Sequence, residues 1–382
     1  MTAQPFVAQW GILGCGWISS EFAKDISFPT TSRGTTDVSH AIAAVGSRSL
    51  PKAEEFIKKW CPDGAIAQKE GHVKFAPKAY GSYKEVVDDP NVNIVYVGTM
   101  NIAHYEDAKL ALEGNKHCLV EKPASLNAAE WNHLVSIARA KKLFLMEGVW
   151  TRFNPMMLAV QKAVHEDDVI GEIRCMYSDH SMDVYKKRPD TDRLLSAELA
   201  GGCLLDIGPY PMVWTMMILY RHPKNQRTPA KKLGSTMMKY HTGVDLATGF
   251  TMTFPKLNAI AYCTTNLLSC VQQKQNTRIV GSKGEILVHG YTSRPTGYTI
   301  RRFIDPESEG AKCHPDEEVK HDIQGFGLYW EADEVARCLR DGKTECERMP
   351  LEETTMTMRY FDQIRKEGGY EFLPGLEKVK SE

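Results

Sequence analysis

The segment WGILGCGWISSEF, residues 10–22, restricts the fold of this chain more than any other stretch. It places Gly14 and Gly16 directly after an apolar run and before a segment with helical spacing. Glycine permits a tight turn there and lets backbone N–H groups approach an anion at the helix N-terminus. Ser19 takes the third position, normally Gly or Ala, and is small enough for the helix to pack closely on the strand. The segment therefore predicts the first strand–turn–helix unit of a dinucleotide-binding domain.

The order of predicted elements divides the 382 residues into two domains. Across residues 1–150, apolar runs alternate with helical segments, which is typical of a parallel Rossmann sheet. The predicted strands cover residues 8–13, 41–46, 93–98, 117–120 and 144–146. The predicted helices cover residues 18–25, 51–59, 103–113 and 128–140, the last capped by Asn127. Residues 27–39 and 62–77 predict surface loops or insertions.

Residues 151–382 show a different order of elements. Strands rich in Thr, Tyr and Val follow one another without intervening helices, which favours a large, mostly antiparallel open sheet in an α+β domain. The predicted strands cover residues 173–180, 249–254, 259–265, 277–280 and 285–289, with a tight turn at residues 281–284. Two helices at residues 330–340 and 351–366 follow, the first closed by Asp341–Gly342. The fold class is therefore predicted as α/β, with a Rossmann domain followed by this second domain.

Composition narrows the possible partners. The net charge of −1 and the pI near 6.9 give no basic surface for nucleic acid. The N-terminal stretch has no basic n-region and no long apolar h-region, so we expect no secretory signal there, and no apolar run approaches the ~20 residues of a membrane helix. Ten cysteines without a C-x-x-C pair, and histidines without ligand spacing, argue against disulfides and against a metal. We therefore expect a cytoplasmic protein with reduced cysteines and a small-molecule substrate.

The residues after the second strand indicate which dinucleotide binds. An NAD-binding unit normally places a carboxylate here to hold the ribose hydroxyls. This chain instead has Ser47 and Arg48, and its first carboxylate is Glu54. A guanidinium suits a 2′-phosphate through a charge-assisted hydrogen bond, so the cofactor is predicted to be NADP. The alternative, that Arg48 is a solvated loop residue, stays open.

Other residues at the carboxyl edge of the predicted parallel sheet are candidates for cofactor contact, because ligands of open α/β sheets bind there. The candidates in the turn, after the predicted strand at residues 93–98 and at the domain junction are Cys15, Trp17, Ile18, Thr99, Met100, Asn101, His104, Trp150 and Arg152. Two of them have structural alternatives. His104 could belong to the core or cap a helix, and Arg152 could bridge the domains.

Several stretches together resemble one family. They are WGILGCGWISS, VNIVYVGTMNIAH, CLVEKPASLN, FLMEGVWTRFNP, GGCLLDIGPYP and IVGSKGEI, in this order along the chain. These motifs resemble the Gfo/Idh/MocA oxidoreductases, and within them the branch of fungal NADP-dependent D-xylose 1-dehydrogenases and dimeric dihydrodiol dehydrogenases. The resemblance implies a Rossmann domain followed by an open-sheet domain whose exposed face commonly forms a homodimer. Met100, where the family usually has proline, departs from the pattern.

The resemblance also assigns residues. The family's E-K-P motif, whose lysine is catalytic, corresponds to Glu121, Lys122 and Pro123. Its D-x-x-x-H motif corresponds to Asp206 and Tyr210, with tyrosine in place of histidine as in the xylose and dihydrodiol branch. Lys122, Asp206 and Tyr210 are thus the expected catalytic and substrate-binding residues. Glu121 is a candidate cofactor contact.

Two prolines bear on the geometry of these motifs. Pro123 favours an extended backbone at Lys122 and so would fix the direction of the lysine side chain. Pro209 is best accommodated in the first turn of a helix, which predicts a helix start there, with Asp206 just before it. The alternative for the second motif is a buried core tyrosine and an aspartate that caps the helix.

The chemistry of these groups suits removal of a hydroxyl proton. Tyrosine normally has a pKa near ~10 and lysine near ~10.4, both too high for an efficient base at neutral pH. A neighbouring ammonium favours the phenolate, so Tyr210 is the preferred proton acceptor, and Lys122 would hydrogen-bond the reacting hydroxyl and help to lower the pKa of the tyrosine. The opposite assignment stays open. Asp206 would orient Lys122 or bind a sugar hydroxyl.

The predicted function is NADP-dependent oxidation of D-xylose, or a related aldose, at C1 to the lactone. One alternative is a trans-1,2-dihydrodiol dehydrogenase, which oxidises a cyclic diol to a catechol with the same motifs. A second alternative is a non-catalytic sugar or cofactor sensor on the same fold. Such a sensor would not need the two residues proposed to handle the proton, Lys122 and Tyr210, and both are present.

Overall fold

The computed structural model describes residues 4–271, 273–305 and 312–380, which form two compact units. The first unit contains the chain up to Trp150, the segment Gln324–Met358 and the stretch that begins at Glu377. The second contains Thr151–Ile323 and Arg359–Leu376. The expected domain boundary after residue 150 stays a prediction. A continuous second domain over residues 151–382 was expected, but part of that segment groups with the first unit.

The first unit is built on a parallel sheet of six strands in the order β3-β2-β1-β4-β5-β6. The strands are β1 (Phe6–Leu13), β2 (Val38–Gly46), β3 (Lys78–Tyr80), β4 (Ile94–Val97), β5 (His117–Glu121) and β6 (Leu145–Gly148). The helices between them are α1 (Trp17–Asp25), α2 (Leu50–Trp60), α3 (Ile66–Lys69), α4 (Tyr83–Asp88), α5 (Asn101–Glu113) and α6 (Ala128–Lys141). The Rossmann prediction is therefore confirmed, including the cap of α6, where Asn127 Oδ1 accepts the Glu130 N–H at 2.8 Å.

The predicted loop over residues 62–77 is wrong in part, because it contains α3. This short helix is held by Gln68, whose side chain forms hydrogen bonds with both the N–H and the C=O of Ile42 in β2, at 3.2 and 2.6 Å. This contact joins residues 26 positions apart in the sequence, so no local sequence pattern predicts the helix that it stabilises. In the other predicted loop, residues 27–39, a 3₁₀ turn forms at Thr30–Arg33 and β2 begins at Val38.

The second unit is built on a sheet of eight strands in the order β14-β13-β12-β11-β7-β10-β9-β8. The strands are β7 (Ile173–Ser181), β8 (Lys232–Lys239), β9 (Asp245–Phe254), β10 (Ala259–Asn266), β11 (Lys274–Gly281), β12 (Gly284–Tyr291), β13 (Arg294–Arg302) and β14 (Glu317–Lys320). The pairing of β7 with β10 is parallel and the other pairings are antiparallel, which confirms the predicted sheet and its hairpin between β11 and β12. The sequence did not predict β8, β13 or β14.

One face of this sheet packs on helices and the other is open. The helices of the region are α7 (Pro155–His165), α8 (Cys203–Asp206) and α9 (Pro209–Thr215), and α9 lies on β7 and β10 while α7 lies on β13. The helical segment Ala197–Tyr220 is apolar and long enough to cross a membrane by length and composition, but its most apolar window is entirely buried in the protein. Burial of that kind is typical of a core segment.

The last two helices are α10 (Tyr329–Arg340) and α11 (Leu351–Glu367), close to their predicted bounds. Asp333 on α10 explains why this distant segment belongs to the first unit. Its carboxylate accepts two hydrogen bonds from Arg33, both at 2.7 Å, one from Thr35 at 3.0 Å and one from His40 Nε2 at 2.8 Å. Because Trp10 Nε1–H donates to His40 Nδ1 at 3.2 Å, the proton of the neutral imidazole lies on Nε2 and points at Asp333.

The protonation of this cluster follows from its contacts. Burial acts to raise the pKa of Asp333, but the hydrogen bonds from Arg33 and His40 outweigh it and hold that pKa below its usual range. Burial also lowers the pKa of His40. An ionised aspartate facing a neutral histidine and a bidentate arginine therefore joins α10 to β2 and to the turn before it.

Candidate active site

The glycine turn after β1 has the geometry of an anion cradle. Gly14 has φ +93°, and a Cβ there would stand 3.0 Å from the carbonyl oxygen of Gly98 and 3.1 Å from Thr99 Cγ2. Only glycine fits without strain. Gly16 is the N-cap residue of α1, where no side chain caps the helix and the first turn carries no acidic residue. The first N–H groups of α1 are thus without a side-chain acceptor, as a pyrophosphate site requires.

Ser19 performs the packing role expected of the third position of the turn. It is fully buried, and its hydroxyl donates to the Gly98 carbonyl at 3.3 Å. A Cβ on Gly98 would stand only 2.3 Å from that hydroxyl oxygen. The pair therefore brings α1 against the end of β4, as Gly or Ala would do in other dinucleotide turns.

The end of β2 offers hydroxyl and basic groups without a carboxylate. Ser47 is buried, Arg48 is exposed, and Lys52 follows in the first turn of α2. The Cys15 thiol lies near Ser47 and Lys52, and burial raises its pKa to about 11, so it is a neutral group. These residues provide hydrogen-bond donors and positive charge where an adenosine ribose lies in this fold. They suit a 2′-phosphate better than a free hydroxyl pair.

The carboxyl end of β4 leads through Thr99, Met100 and Asn101 into α5. The Thr99 hydroxyl donates to Asp107 Oδ2 at 2.7 Å. Burial raises the pKa of Asp107 to about 6. The sequence analysis did not select Asp107, although it lies one helical turn after His104 on the buried side of α5.

Lys122 follows the last residue of β5 and is partly buried. Glu121 is buried, and its Oε1 accepts the Tyr96 hydroxyl of the neighbouring strand β4 at 2.7 Å. On the other side of β5, Glu147 of β6 accepts the backbone N–H of Ala124 at 3.1 Å. The peptide bond between Lys122 and Pro123 is cis. The lysine is thus placed by contacts with both neighbouring strands.

His104 lies beneath the same turn and is buried. Its Nδ1 lies 2.7 Å from the carbonyl oxygen of Pro123 and its Nε2 lies 3.1 Å from that of Thr99. The imidazole therefore connects the ends of β4 and β5 through their backbones. The predicted contact of His104 with the cofactor remains a prediction, and its observed partners give it a role in fixing the turn that carries Lys122.

Two tryptophans predicted to contact the cofactor meet through a third aromatic residue. Trp17 is 63% exposed and meets the Phe326 ring edge-on at a centroid distance of 5.1 Å. Trp150 is buried and stacks on the same Phe326 ring, at a centroid distance of 4.8 Å. The backbone around Phe326 is fixed because Asp25 accepts the N–H groups of residues 326, 327 and 328. Phe326 was not selected from the sequence.

The second unit holds the other catalytic candidates. Asp206 ends α8 and Tyr210 lies in the first turn of α9, which begins at Pro209 as predicted. Asp206 Oδ1 accepts Arg193 Nη1 at 2.6 Å. Tyr210 is 7% exposed, and its ring centroid lies 4.8 Å from that of His180 on β7. Arg152, predicted to contact the cofactor, also belongs to this unit and is buried.

A buried carboxylate supports the Asp206–Tyr210 segment. Asp245, at the start of β9, is fully buried, and its Oδ2 accepts the Cys203 thiol at 2.9 Å, the Leu204 N–H at 2.8 Å and the Thr248 hydroxyl at 2.9 Å. A Cβ on Gly202 would stand 1.9 Å from Asp245 Oδ1. Asp245 thus holds the N-terminal turn of α8, and only glycine can precede that helix.

Sequence reasoning missed three groups of this segment, namely Arg193, His180 and Asp245. Arg193 lies in an irregular stretch, and nothing in its neighbourhood distinguishes it from the other charged residues there. His180 and Asp245 lie on strands that were predicted whole or in part, but strand alternation marks only burial and not the chemical partner.

Comparison with known proteins agrees with this architecture. Residues 8–149 match the family model described as an oxidoreductase family with an NAD-binding Rossmann fold. Residues 158–287 match the model of the GFO/IDH/MocA C-terminal domain. The prediction of a nicotinamide dinucleotide as cofactor is confirmed at this level.

Two curated relatives span nearly the whole chain. A D-xylose 1-dehydrogenase (NADP(+)) from Hypocrea jecorina is 36% identical over 379 residues, which cover 96% of this chain and 94% of the relative. A trans-1,2-dihydrobenzene-1,2-diol dehydrogenase from Sus scrofa is 30% identical over 370 residues and covers 95% and 98% of the two chains.

Among solved structures, an aldose-aldose oxidoreductase from Caulobacter crescentus, complexed with glycerol, has a TM-score of 0.74 at 20% identity, with 95% of this chain and 97% of that chain covered. A 3-ketoreductase from Actinomadura kijaniata, in complex with NADP and TDP-benzene, has a TM-score of 0.72 at 20% identity, with coverages of 96% and 98%. These structures share the fold. With both domain models matched and relatives aligned end to end, the chain belongs to the Gfo/Idh/MocA family of oxidoreductases.

Proposed function

We propose that this oxidoreductase is NADP-dependent and oxidises D-xylose, or a related aldose, at C1 to the aldonolactone. The observation that carries the proposal is the placement of Lys122 at the carboxyl end of β5, in the same unit as the glycine turn at Gly14 and the basic end of β2 at Arg48. The 36% identity with an NADP-dependent D-xylose 1-dehydrogenase supports the choice of sugar and cofactor.

In the proposed reaction the bond between C1 and its hydrogen breaks, and a carbonyl forms from the C1 hydroxyl. When bound, the oxidised nicotinamide supplies the acceptor for the hydride and its two electrons. We assign the hydroxyl proton to Tyr210, with Lys122 donating a hydrogen bond to the reacting hydroxyl and its positive charge favouring the phenolate. Asp206, whose carboxylate is held by Arg193, binds a sugar hydroxyl or orients the ammonium.

A lysine substitution tests the mechanism. In Lys122→Met, turnover should be lost because the ammonium is removed, while NADPH binding measured by fluorescence titration should persist. Lys141→Met, at the exposed end of α6, is the matched control and should keep full turnover. Near-full turnover of Lys122→Met would refute the assignment of Lys122 to the chemical step.

A steady-state screen of aldoses and cyclic diols, with NADP and NAD side by side, tests the substrate and the cofactor. We expect activity on D-xylose with NADP, and a loss of the preference for NADP in Arg48→Ala. The second candidate function, a trans-dihydrodiol dehydrogenase, is favoured by the 30% identity with the Sus scrofa enzyme. Activity on the diol with none on aldoses would establish it, whereas NADPH binding without turnover on either class would indicate a sensor.

We also propose that the chain forms a homodimer through the open face of its eight-stranded sheet. Tyr177 and Tyr262 lie on the paired strands β7 and β10, stack at a centroid distance of 5.1 Å and are 42% and 39% exposed. Light scattering after size-exclusion chromatography should give a dimer, and Tyr262→Glu should give a monomer. Tyr291→Glu, at the exposed end of β12, is the control that should stay dimeric.

A cytoplasmic location is proposed on the state of the thiols. All ten cysteines are free and six of them are buried, among them Cys118 and Cys263, whose positions suit small apolar side chains. Fractionation of the source cells with an antibody to the protein would check this, and recovery from an oxidising compartment would contradict it.

A further inference from the structure

Two thiols and a carboxylate meet in the first unit, outside the groups assigned above. Glu334 and Cys338 lie four residues apart on α10, and Cys346 lies in the connection from α10 to α11. Their ligand atoms, one carboxylate oxygen and two sulfurs, all lie within 4.8 Å of one another. The helical spacing places the first two side chains on one face, and the chain then returns to bring the second sulfur beside them.

These distances match the size of a tetrahedral metal site. Zinc–sulfur bonds of about 2.3 Å and zinc–oxygen bonds of about 2.1 Å place neighbouring ligand atoms roughly 3.5–3.8 Å apart in a tetrahedron. Three groups already within 4.8 Å of one another can close on one ion by small torsional adjustments of their side chains. Two thiolates and a carboxylate are also ligands that a thiophilic cation prefers.

Both sulfurs are shielded from solvent, and backbone donors face one of them, Cys346. Cys346 is fully buried and Cys338 is 4% exposed. The backbone N–H groups of Arg348 and Met349 face the Cys346 sulfur, in the turn closed by the Met349 N–H to Cys346 O bond at 3.1 Å. These N–H groups are fixed donors to a thiolate whether or not an ion is present.

Charge balance and access are also provided. Guanidinium nitrogens of Arg348 and Arg337 lie 3.8 and 4.0 Å from Glu334 Oε2. Two thiolates and a carboxylate around a divalent cation leave one net negative charge, which these arginines would offset. The Glu334 side chain is 20% exposed, so it gives the ion a route from solvent to the buried sulfurs.

We propose that Glu334, Cys338 and Cys346 bind one divalent thiophilic cation of the Zn²⁺ class, with water in the fourth position. Binding replaces two thiol protons, which are released to solvent. A metal was not expected from the sequence, because no C-x-x-C pair is present. Cys338 and Cys346 lie eight residues apart, one at the end of α10 and the other in the connection that follows it. A bound ion would fix the connection between α10 and α11, whose Thr344 carbonyl accepts the Leu145 N–H of β6 at 3.2 Å.

Titration of the reduced, chelator-treated full-length protein with Cd²⁺ alone, followed in the ultraviolet, tests the site. We expect a thiolate-to-cadmium charge-transfer band that saturates at one equivalent, is abolished by competing Zn²⁺, and is accompanied by a higher melting temperature. Cys338→Ser and Cys346→Ser should each lose the saturating band. Glu334→Gln, which removes only the partly exposed ligand, should fold and bind more weakly.

The matched control is Cys118→Ser, a fully buried cysteine of β5 that has no part in the cluster. It should keep one-to-one binding. Absence of a saturating band in the wild-type protein would overturn the proposal, as would equal binding by the wild-type protein and Glu334→Gln. If the two serine variants fail to fold, native mass spectrometry of wild-type and Glu334→Gln protein with Cd²⁺ still decides. None of these measurements depends on enzymatic turnover.

Discussion

Lys122 and Tyr210 are supported in two different ways. Lys122 follows a strand in the middle of a parallel sheet, and side chains from the elements beside it hold its turn. Glu121 accepts from Tyr96 of β4, Ala124 donates to Glu147 of β6, and His104 of α5 reaches the Pro123 carbonyl. The support is spread over several contacts, two from the strands that flank β5 and one from the helix α5.

The segment that carries Tyr210 depends on fewer groups from further along the chain. Asp245 of β9 accepts three hydrogen bonds around the start of α8, and the hydroxyl of Tyr370 donates to the Gly201 carbonyl at 2.7 Å. Both supporting residues come from elsewhere in the sequence, and both are buried. Loss of one supporting residue, such as Asp245, should therefore destabilise the segment that carries Tyr210. Loss of any single contact around Lys122 should have a much smaller effect on its turn.

The largest effect is therefore expected for Asp245→Ala. It leaves the Leu204 N–H and the Thr248 hydroxyl without this acceptor and removes one of the acceptors of the Cys203 thiol, which should lower the free energy of unfolding by about 3–5 kcal/mol. Burial raises the pKa of Asp245, so the neutral isostere Asp245→Asn should be better tolerated. Urea denaturation measures both variants. The contrast would be refuted if Asp245→Ala and Asp245→Asn lost the same free energy of unfolding. It would also be refuted if Asp245→Ala lost no more than the surface variant Asp190→Asn.

Asp107→Asn should change the pH dependence of stability. The folded pKa of about 6, raised by burial, exceeds the unfolded value near ~3.9, so the folded state binds the proton more tightly. The wild-type free energy of unfolding should therefore fall by up to about 3 kcal/mol, relative to Asp107→Asn, as pH rises from ~4 to ~7. Urea titrations across this range measure it, with Glu55→Gln on the exposed side of α2 as the control. Parallel curves for wild type and Asp107→Asn would contradict the assignment.

Tyr96→Phe tests how strongly one contact supports the turn that carries Lys122 after β5. It removes one donor from the buried Glu121 and should cost about 1–2 kcal/mol, less than Asp245→Ala, because other contacts still hold the turn. Calorimetry or urea denaturation gives the value, and a lowered turnover would show that Lys122 has moved. Tyr105→Phe, which loses a partly exposed bond to His133, should leave turnover unchanged. A loss as large as that of Asp245→Ala would show that the support is not distributed.

The smallest effect on stability is expected for Arg193→Met. The Arg193 side chain is 51% exposed, so the change should stay within about 0.5 kcal/mol. Asp206 would lose its orienting partner, and kcat/KM should fall by about tenfold, or about 1.4 kcal/mol. Arg193→Lys should recover part of this, and Arg188→Met should change neither quantity. Unchanged kcat/KM in Arg193→Met would remove Arg193 from the site.

The same contrast separates what the sequence predicts from what it does not. The turn at Gly14 and five of the six strands of the parallel sheet follow from local signals, since glycine spacing, apolar runs and caps act within a few residues, whereas the short edge strand β3 was not predicted. Asn127 and the helix start at Pro209 were predicted for the same reason. The family motifs then gave Lys122, Asp206 and Tyr210 as candidates.

What escaped prediction depends on contacts between distant residues. Gln68 makes α3 possible through Ile42, and Asp245 supports a helix that begins 42 residues earlier. The strands β8, β13 and β14 lie at or near the sheet margins, where partial exposure weakens apolar alternation. Arg193 resembles any surface arginine until its partner Asp206 is located. Such pairings are properties of the folded chain and have no local pattern.

The cluster around Asp333 has a consequence for how the protein is made. Arg33 and His40 leave the ribosome early, yet their carboxylate partner is synthesised about 300 positions later. A nascent chain that ends before α10 holds the six strands of the first unit but lacks the helix that packs on β1 and β2. In such an intermediate, the apolar surface of β1 and β2 that α10 later covers is exposed throughout translation of the second unit. Arg33 lacks its carboxylate partner during the same period. Chaperone binding during synthesis should therefore concentrate on the strands that synthesis completes first.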